Sequence, residues 1–332
     1  MDYRPPYEIS DEILGLVSSI SQKMGQIEER RSPGQNLHLR RHNKIRSLHA
    51  SLRIEANSLS ISDVHDVING KFVAGPPKEI QEVKNAYAAY EQISIIDPFC
   101  IDELKRIHGI MTEAIVDDAG RFRLGEEGVF SGDQCIFVAP PARLVPTLME
   151  NLFAWMNAAR NTVHPLILSA VFHYEFVFIH PFSDGNGRMA RLWHTAILAK
   201  WNPIFEFIPI ESQIEKFQDG YYNAISDCNR SGSSTGFICF MLRQIDAVLD
   251  SMVLQTRGLS ADVSEYEKRL LDVMEFDVPY TASALLDLLH LRSREALRKN
   301  YLVPAIRHGF VDMTVPDKPN SKNQRYIKTE HQ

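Results

Sequence analysis

The chain has 332 residues, of which 44% are hydrophobic and 23% are charged, and its formal net charge is −6. A chain of this size can bury a large core in one or two domains, and its charge gives no global reason to expect nucleic-acid binding. It contains no basic-then-apolar leader, no run of eighteen apolar residues and no CxxC pair among its four cysteines, so we expect a cytoplasmic protein with no membrane partner and no structural zinc or disulfide framework.

Helical patterns dominate the first 258 residues. An apolar and basic pattern covers about 36–57 and ends in the letters SLRIEAN. Serine caps, a Gly-Pro-Pro break and helical periodicity predict further helices. These are 60–70, 78–94, 101–115, 143–160, 164–179, 188–201, 211–226 and 235–256. The sequence therefore predicts a mainly α fold, organised as a helical bundle.

One β-hairpin is predicted within this bundle, at about 126–141. Two short β-rich runs, 129–131 and 135–138, flank the letters SGD, which are typical of a turn between paired strands. The alternative is that the hairpin is only a surface turn.

The segment 180–191 reads HPFSDGNGRMAR and forms a glycine turn between two predicted helices. Gly185 and Gly187 allow the backbone to approach a ligand closely. The turn opens a helix, whose first N–H groups and partial positive charge favour phosphate oxygens. Arg188 and Arg191 are three residues apart, so both guanidinium groups lie on one helix face and can bind a diphosphate or triphosphate.

Two more residues of this segment indicate its chemistry. Asp184 is a hard oxygen ligand that suits Mg²⁺ or Mn²⁺ shared with phosphates, since such ions need only one or two protein carboxylates plus waters. His180 titrates near neutral pH and is the natural base for an attacking hydroxyl. Each feature alone is common by chance, whereas the ordered set of eight residue types is not.

The pattern restarts after a boundary near 258–260. The predicted elements are helices at 264–275, 281–289 and 293–308 and strands at 309–312 and 325–328. Their order resembles a winged helix-turn-helix, in whose DNA-binding versions the third helix enters the major groove. Acidic and basic residues of this segment nearly balance, so the electrostatic footprint of a DNA reader is weak. A protein-interaction or dimerisation role is at least as well supported.

The segment 180–191 resembles the signature of the Fic (Fido) family, with every signature position present. The resemblance implies a Fic-type helical bundle that transfers a nucleoside monophosphate, usually AMP from ATP, to a protein hydroxyl with release of pyrophosphate. His180 would be the general base and Asp184 the metal ligand.

The same resemblance assigns the phosphate contacts. Asn186, with the backbone of Gly185 and Gly187, would hold the α-phosphate and the charge that grows on it. Arg188 and Arg191 would hold the β- and γ-phosphates. Phosphoryl transfer depends mostly on positioning and charge stabilisation, so these groups suffice physically for the reaction class.

A second resemblance lies in the helix at about 36–57. Ser51 and Glu55 match the S-x-x-x-E-G-N inhibitory motif of Fic proteins. The resemblance implies that Glu55 pairs with Arg191, draws this arginine away from the γ-phosphate and restrains the resting enzyme. Ala56 stands where the family usually has Gly, which puts the geometry of the following turn in question.

The resemblance also assigns roles near the site. In Fic proteins the hairpin is a flap whose exposed edge pairs with the target segment, and Val129, Phe130 and Phe137 are its candidate target contacts. Tyr221 and Tyr222 are candidates to flank the adenine, although aromatic residues on helices are more often core.

We therefore predict three regions: a helical region at 1–100, a Fic core at 101–258 and a winged-helix domain at 261–332. The predicted function is a protein adenylyltransferase that uses ATP with Mg²⁺ or Mn²⁺ and modifies a Ser, Thr or Tyr hydroxyl of another protein or of itself. The alternatives are a DNA-binding regulator with a nucleotide-sensing Fic core, and an enzyme of the same fold that transfers another nucleotide or removes AMP. His180 favours an enzyme, because sensing needs no base. Homodimerisation and DNA binding stay open.

Overall fold

A computed structural model describes residues 3–29, 37–131, 134–258, 264–274, 278–319 and 321–328. Its α-helices are α1 (Asp11–Glu29), α2 (Leu37–Ile54), α3 (Ile61–Ile68), α4 (Pro77–Tyr90), α5 (Ile101–Met111), α6 (Val145–Ala159), α7 (Pro165–Ile179), α8 (Asn186–Trp201), α9 (Ile210–Lys216), α10 (Gln218–Ser231), α11 (Thr235–Gly258), α12 (Glu265–Val273), α13 (Ala282–Leu288), α14 (Arg294–Ala296) and α15 (Val303–Arg307). The strands are β1 (Gly128–Ser131), β2 (Gln134–Val138), β3 (Val311–Met313) and β4 (Tyr326–Lys328). The predicted mainly helical fold is confirmed.

Helices α7 and α8 form the centre of the larger part of the chain. Helix α7 is apolar on nearly all of its faces, so it can be stable in water only when surrounded by other elements. It begins with Pro165, whose fixed φ suits a first turn, and the ring of His164 accepts a hydrogen bond from the Leu166 amide. Helix α8 packs against α7 and is buried along almost its whole length. The turn between them is thereby held by the core.

The chain divides into two compact units. One comprises Met1–Gln22 with Lys44–Leu249, and the other comprises Lys23–Asn43 with Asp250–Gln332. Residues on both sides of position 100 belong to the first unit, whereas the sequence analysis drew a boundary there. The position predicted at 258–260 lies partly outside the described residues.

Several helices differ from their predicted bounds. Helix α1 was not predicted, although Ser10 caps its first turn and apolar residues recur along one face. The helix predicted at 211–226 is two helices, because Phe217 has a non-helical backbone (φ −114°, ψ 38°) between α9 and α10. Helix α5 ends at Met111, before the left-handed Ala114.

The predicted hairpin is present in the backbone. Strands β1 and β2 pair antiparallel with a shift in register between Val129 and Phe130. The Ala139 amide donates to the Glu127 carbonyl at 3.1 Å and closes the base of the hairpin.

The second unit has its own core. Helices α12 and α13 pack with a third helical stretch, in which α14, a π-helical turn at Leu297–Leu302 and α15 follow without a break. Strand β3 pairs antiparallel with β4, two residues later than the strand predicted to start at 309, because Gly309 first makes a left-handed turn (φ 72°). The winged-helix assignment stays a prediction. Within the described residues, no helix is both long and apolar enough to cross a membrane.

Candidate nucleotide site at the start of helix α8

His180 stands at the junction of α7 and the glycine turn. It is the last residue to bond into α7, through its amide to the Phe176 carbonyl at 2.9 Å, and its backbone is left-handed (φ 52°, ψ 60°). This conformation is unfavourable for a residue with a side chain, so the surrounding contacts must hold it. The chain turns at His180, and the next five residues lead to the first turn of α8.

The pKa of the His180 ring is set by its burial and by nearby charges. Burial lowers its pKa, and the positive charge of Arg123 lowers it further, while Glu55, Asp184 and the Val177 carbonyl oppose this shift. The ring is therefore neutral near pH 7. Its Nδ1 lies 3.4 Å from the Val177 carbonyl oxygen. A proton on Nδ1 would point to that oxygen and leave Nε2 free to accept a proton.

Both signature glycines are required by their surroundings. Gly185 has φ 80°, and a Cβ atom there would approach Thr112 Cγ2 to 3.0 Å. A Cβ atom at Gly187 would overlap the Glu55 carboxylate and lie 3.1 Å from Arg191 Nη1. In this structure the Glu55 carboxylate therefore lies against Gly187, at the start of α8, where the first N–H groups have no intrahelical acceptors.

Asn186 is occupied within the turn itself. Its Oδ1 accepts a hydrogen bond from the Phe182 amide at 2.9 Å, and its Nδ2 donates to the Phe182 carbonyl at 2.8 Å. The Phe182 ring is fully buried and anchors the turn in the core. The resemblance assigned Asn186, with the backbone of Gly185 and Gly187, to the α-phosphate, and this role stays a prediction. In this structure both polar atoms of its side chain are bonded within the loop.

Arg188 is buried and only partly paired. Its side chain is 3% exposed, its Nη2 donates to Asp184 Oδ1 at 3.0 Å, and its Nη1 lies 3.8 Å from Glu82 Oε1. Two of its nitrogens, Nε and Nη1, donate no hydrogen bond to any described residue. Buried donors without acceptors are costly, so this guanidinium group is prepared for an anionic ligand.

Arg191 is fully engaged by the end of α2. Its Nη2 donates to Glu55 Oε1 at 2.7 Å and to the Ser51 carbonyl at 2.9 Å, and its Nε donates to Ser51 Oγ at 3.0 Å. Burial alone lowers the pKa of Arg191, but the Glu55 carboxylate raises it above the usual value. The ion pair that the resemblance implied is therefore present, and Ser51 completes it.

The turn after Glu55 keeps the required geometry with alanine in place of glycine. Ala56 adopts a left-handed backbone (φ 64°). Asn57 then donates to Glu82 Oε2 at 2.9 Å and to the Glu79 carbonyl at 3.3 Å. Glu82 thus contacts both the end of α2 and, through its other oxygen, Arg188.

His108 holds the outer side of the turn and was missed by the sequence analysis. Its ring stacks on Phe182 with centroids 3.6 Å apart and planes 4° apart. Its Nδ1 accepts from the Gly120 amide at 2.9 Å, so the proton must be on Nε2, which donates to the Asp184 carbonyl at 3.0 Å. Burial lowers the pKa of His108 to about 4, so the ring stays neutral. No motif marks this histidine in the sequence, since its role depends on the fold.

The remaining predicted site residues have separate outcomes. Tyr221 is buried and its hydroxyl is 2.9 Å from His173 Nε2, and its adenine role stays a prediction. Tyr222 is 47% exposed, and its adenine role stays a prediction. The side chains of Val129, Phe130 and Phe137 lie outside the described part of the structure, so their contacts with a target stay a prediction.

Comparisons with known proteins agree with this geometry. A model of the Fic/DOC family matches residues 98–198, which include α5, the hairpin and the whole signature turn. A Fic family protein of known structure from Desulfovibrio desulfuricans G20 is 38% identical, with 99% of each chain covered and a TM-score of 0.71. The chain belongs to the Fic family. Its residues 266–329 also match the C-terminal domain described as "Filamentation induced by cAMP protein Fic-like".

More distant Fic proteins match part of the chain. The chain is 30% identical over 228 residues to the protein adenylyltransferase Fic of Nematostella vectensis, covering 63% of this chain and 48% of that protein. It thus spans about half the length of this relative. The structure of Fic-1 (residues 134–508) from Caenorhabditis elegans is 21% identical, covers 74% of each chain and has a TM-score of 0.59, which shows a common fold.

Proposed function

We propose that this Fic protein is an adenylyltransferase that transfers AMP from ATP to a Ser, Thr or Tyr hydroxyl of a protein, and that Glu55 restrains it. The observation that carries the proposal is the pair of buried, unbonded Arg188 nitrogens at a glycine-lined helix start, beside a neutral histidine. The name protein adenylyltransferase given to the related Nematostella protein supports the same reaction class.

The residues divide the work of the reaction. His180 Nε2 takes the proton of the target hydroxyl, whose oxygen then bonds to the α-phosphorus, while pyrophosphate leaves. The amides at the start of α8 receive the negative charge of the phosphates. Arg188 binds the departing phosphates through its two free donors, and Arg191 does so once Glu55 has moved.

Asp184 is the residue that fits a divalent metal. Its carboxylate is 38% exposed and lies beside the phosphate site, and Mg²⁺ or Mn²⁺ bound to a nucleotide needs few protein ligands. No cluster of three or more metal-binding side chains occurs among the described residues, so phosphate oxygens and waters would complete the coordination. A bound ion would neutralise phosphate charge.

Glu55 restrains the enzyme by holding Arg191. While the two form an ion pair, the arginine cannot turn to a phosphate, and the Glu55 carboxylate next to Gly187 repels one. Removal of the carboxylate should raise the transfer rate by about tenfold or more, since an ion-assisted hydrogen bond contributes roughly 1.5–3 kcal/mol.

The test is incubation of wild type, Glu55→Gly and His180→Ala with each α-labelled nucleoside triphosphate and Mg²⁺ or Mn²⁺, followed by intact mass measurement. We expect an AMP adduct on Glu55→Gly, little on wild type and none on His180→Ala. His290→Ala serves as a histidine control far along the chain. A UMP or GMP adduct would change the substrate, and equal labelling of His180→Ala would contradict the role of the base.

A negative result also discriminates between functions. Nucleotide binding without any adduct would favour a sensor or an enzyme that removes AMP. Binding of duplex DNA that weakens as salt rises would support the DNA-binding alternative.

A further inference from the structure

Arg123 connects the base of the hairpin to the signature turn. It is 2% exposed and directs its guanidinium group at backbone carbonyls from three segments of the chain. Its Nε donates to His180 O at 2.7 Å, its Nη1 to Gly125 O at 2.7 Å and its Nη2 to Pro140 O at 2.6 Å. Gly125 precedes β1 and Pro140 follows β2, so one side chain holds both ends of the hairpin and the junction of α7 with the turn.

The backbone of Arg123 adds to this connection. Its amide donates to the Pro181 carbonyl at 2.9 Å, and its Nη2 also reaches the Ile179 carbonyl at 3.4 Å. The carbonyls of three consecutive residues, 179–181, are thus bonded to this one arginine. His180 lies at the centre of the three and has the unfavourable left-handed backbone. The contacts of Arg123 are therefore those that hold His180 in its conformation.

We infer that Arg123 is a positioning residue that fixes the His180 backbone relative to the hairpin. The base and a target segment paired with the hairpin then keep a fixed position relative to each other. The inference rests on the proposed function. A bound target would contact the hairpin, and its hydroxyl must lie within hydrogen-bond distance of His180. A small change in the angle between the hairpin and the His180 backbone would therefore misplace the reacting atoms. The Arg123 side chain does not need to touch the nucleotide or the target.

Only arginine can make this set of contacts. Its planar group offers five N–H donors in fixed directions, whereas lysine offers three donors from a single atom. Burial lowers the pKa of Arg123, while Glu126 and Glu127 oppose this effect, and the group remains charged because the intrinsic pKa of arginine is so high. A buried cation bonded to carbonyls of separate segments needs all of them in place, so it couples their positions.

The charge of Arg123 also gives a readout that loss of packing would not produce. The groups that act on His180 are the Val177 carbonyl, Arg123, Glu55 and Asp184, and the cation lowers the His180 pKa. Removing this charge should move the acid limb of the rate profile to higher pH. Replacement by lysine keeps the charge and should leave that limb in place.

The experiment compares Arg123→Gln, Arg123→Lys and the control Arg121→Gln in the Glu55→Gly background. The control changes an exposed arginine two residues away, whose side chain contacts only the Asp117 carbonyl among the contacts described. We measure the rate of AMP transfer to a protein target against pH, the ATP dissociation constant and the melting temperature.

For Arg123→Gln we expect a rate at least tenfold lower and an ATP dissociation constant within about twofold of the parent. We also expect the acid limb of its rate profile to lie at higher pH. For Arg123→Lys we expect a lowered rate with the limb unmoved. A full rate in Arg123→Lys, or a loss of ATP binding in proportion to the loss of rate, would overturn the inference.

Hydrogen exchange gives a test that does not depend on activity. Amides of 180–187 and of the hairpin base at 125–127 should exchange faster together in Arg123→Lys and remain as in the parent in Arg121→Gln. If only one of the two segments changes, Arg123 does not couple them. An inactive Glu55→Gly parent would instead contradict the proposed function, and the exchange result would still decide the role of Arg123.

Discussion

The signature turn and the end of α2 meet at Arg191, but they are held in different ways. In the turn, the carbonyls of His180, Pro181, Phe182 and Asp184 all accept hydrogen bonds from buried groups. At the end of α2, Arg191 donates to Ser51 Oγ, to the Ser51 carbonyl and to Glu55, and the Glu55 side chain is 36% exposed. The turn is therefore bonded to buried groups throughout, whereas one of the groups that accept from Arg191 is partly exposed to solvent.

Backbone strain occurs in both regions. His180 and Ala56 both have left-handed backbones, yet His180 is fixed by neighbours on both sides and Ala56 follows the last turn of a helix. Displacing the end of α2 would break the Arg191 contacts and those of Asn57 and would expose the buried Leu52, whereas displacing the turn would expose the buried Phe182.

The largest effect on folding should come from the turn. Asn186→Ala would leave the buried amide and carbonyl of Phe182 without partners, and each such group costs about 1–3 kcal/mol. We expect the free energy of unfolding to fall by roughly 2–4 kcal/mol in urea denaturation. Asn223→Ala, on the exposed side of α10, is the control and should change little. Equal effects of the two would mean that the turn is not held by its internal bonds.

His108 should make the turn sensitive to acid. Its folded pKa is about 4 and its unfolded pKa about 6.5, so the unfolded chain binds an extra proton between these values and stability falls as pH falls through this range. The contribution is about 1.4 kcal/mol per pH unit. His108→Gln should lose this slope between pH 6.5 and 5, measured by urea midpoints. His290→Asn, at an exposed left-handed position, should retain the slope of the wild type.

A smaller effect is expected where α2 ends. Ala56→Gly relieves a left-handed alanine, which should stabilise the protein by about 0.5–1 kcal/mol, because the strain removed exceeds the added chain entropy. The same change strengthens the restraint, so the transfer rate should fall by roughly two- to fivefold. Ala114→Gly relieves the same backbone strain after α5 and should raise the melting temperature without lowering the rate. An equal loss of rate in Ala56→Gly and Ala114→Gly would mean that the turn at Ala56 has no specific role in regulation.

The turn could be predicted in detail because its function requires particular residue types at fixed spacings. Asp184, Gly185, Gly187 and Arg188 can be located from the sequence alone, since glycine angles and a helix start impose their order. The pairing of Glu55 with Arg191 was also available, but only through the family resemblance. A helical glutamate has no local signal that names its partner 136 residues away.

The supporting residues could not be predicted, because their roles depend on the fold. His108 and Arg123 bind backbone carbonyls, which every residue has, so no side-chain pattern indicates their partners. Tyr221 also depends on the fold: an aromatic residue after the signature suggests a ligand contact, but only the structure shows that it is buried in the core. The division of 211–226 into two helices likewise depends on the backbone at Phe217.

The most direct test of the account is the affinity of wild type and Glu55→Gln for ATP and for AMP, measured by calorimetry. The substitution keeps the size of the side chain and removes its charge. We predict that ATP binds at least about tenfold more tightly to Glu55→Gln, while AMP affinity changes less than twofold, because only the terminal phosphates compete for Arg191. Equal changes for both nucleotides, or none for either, would contradict a restraint that acts through this arginine.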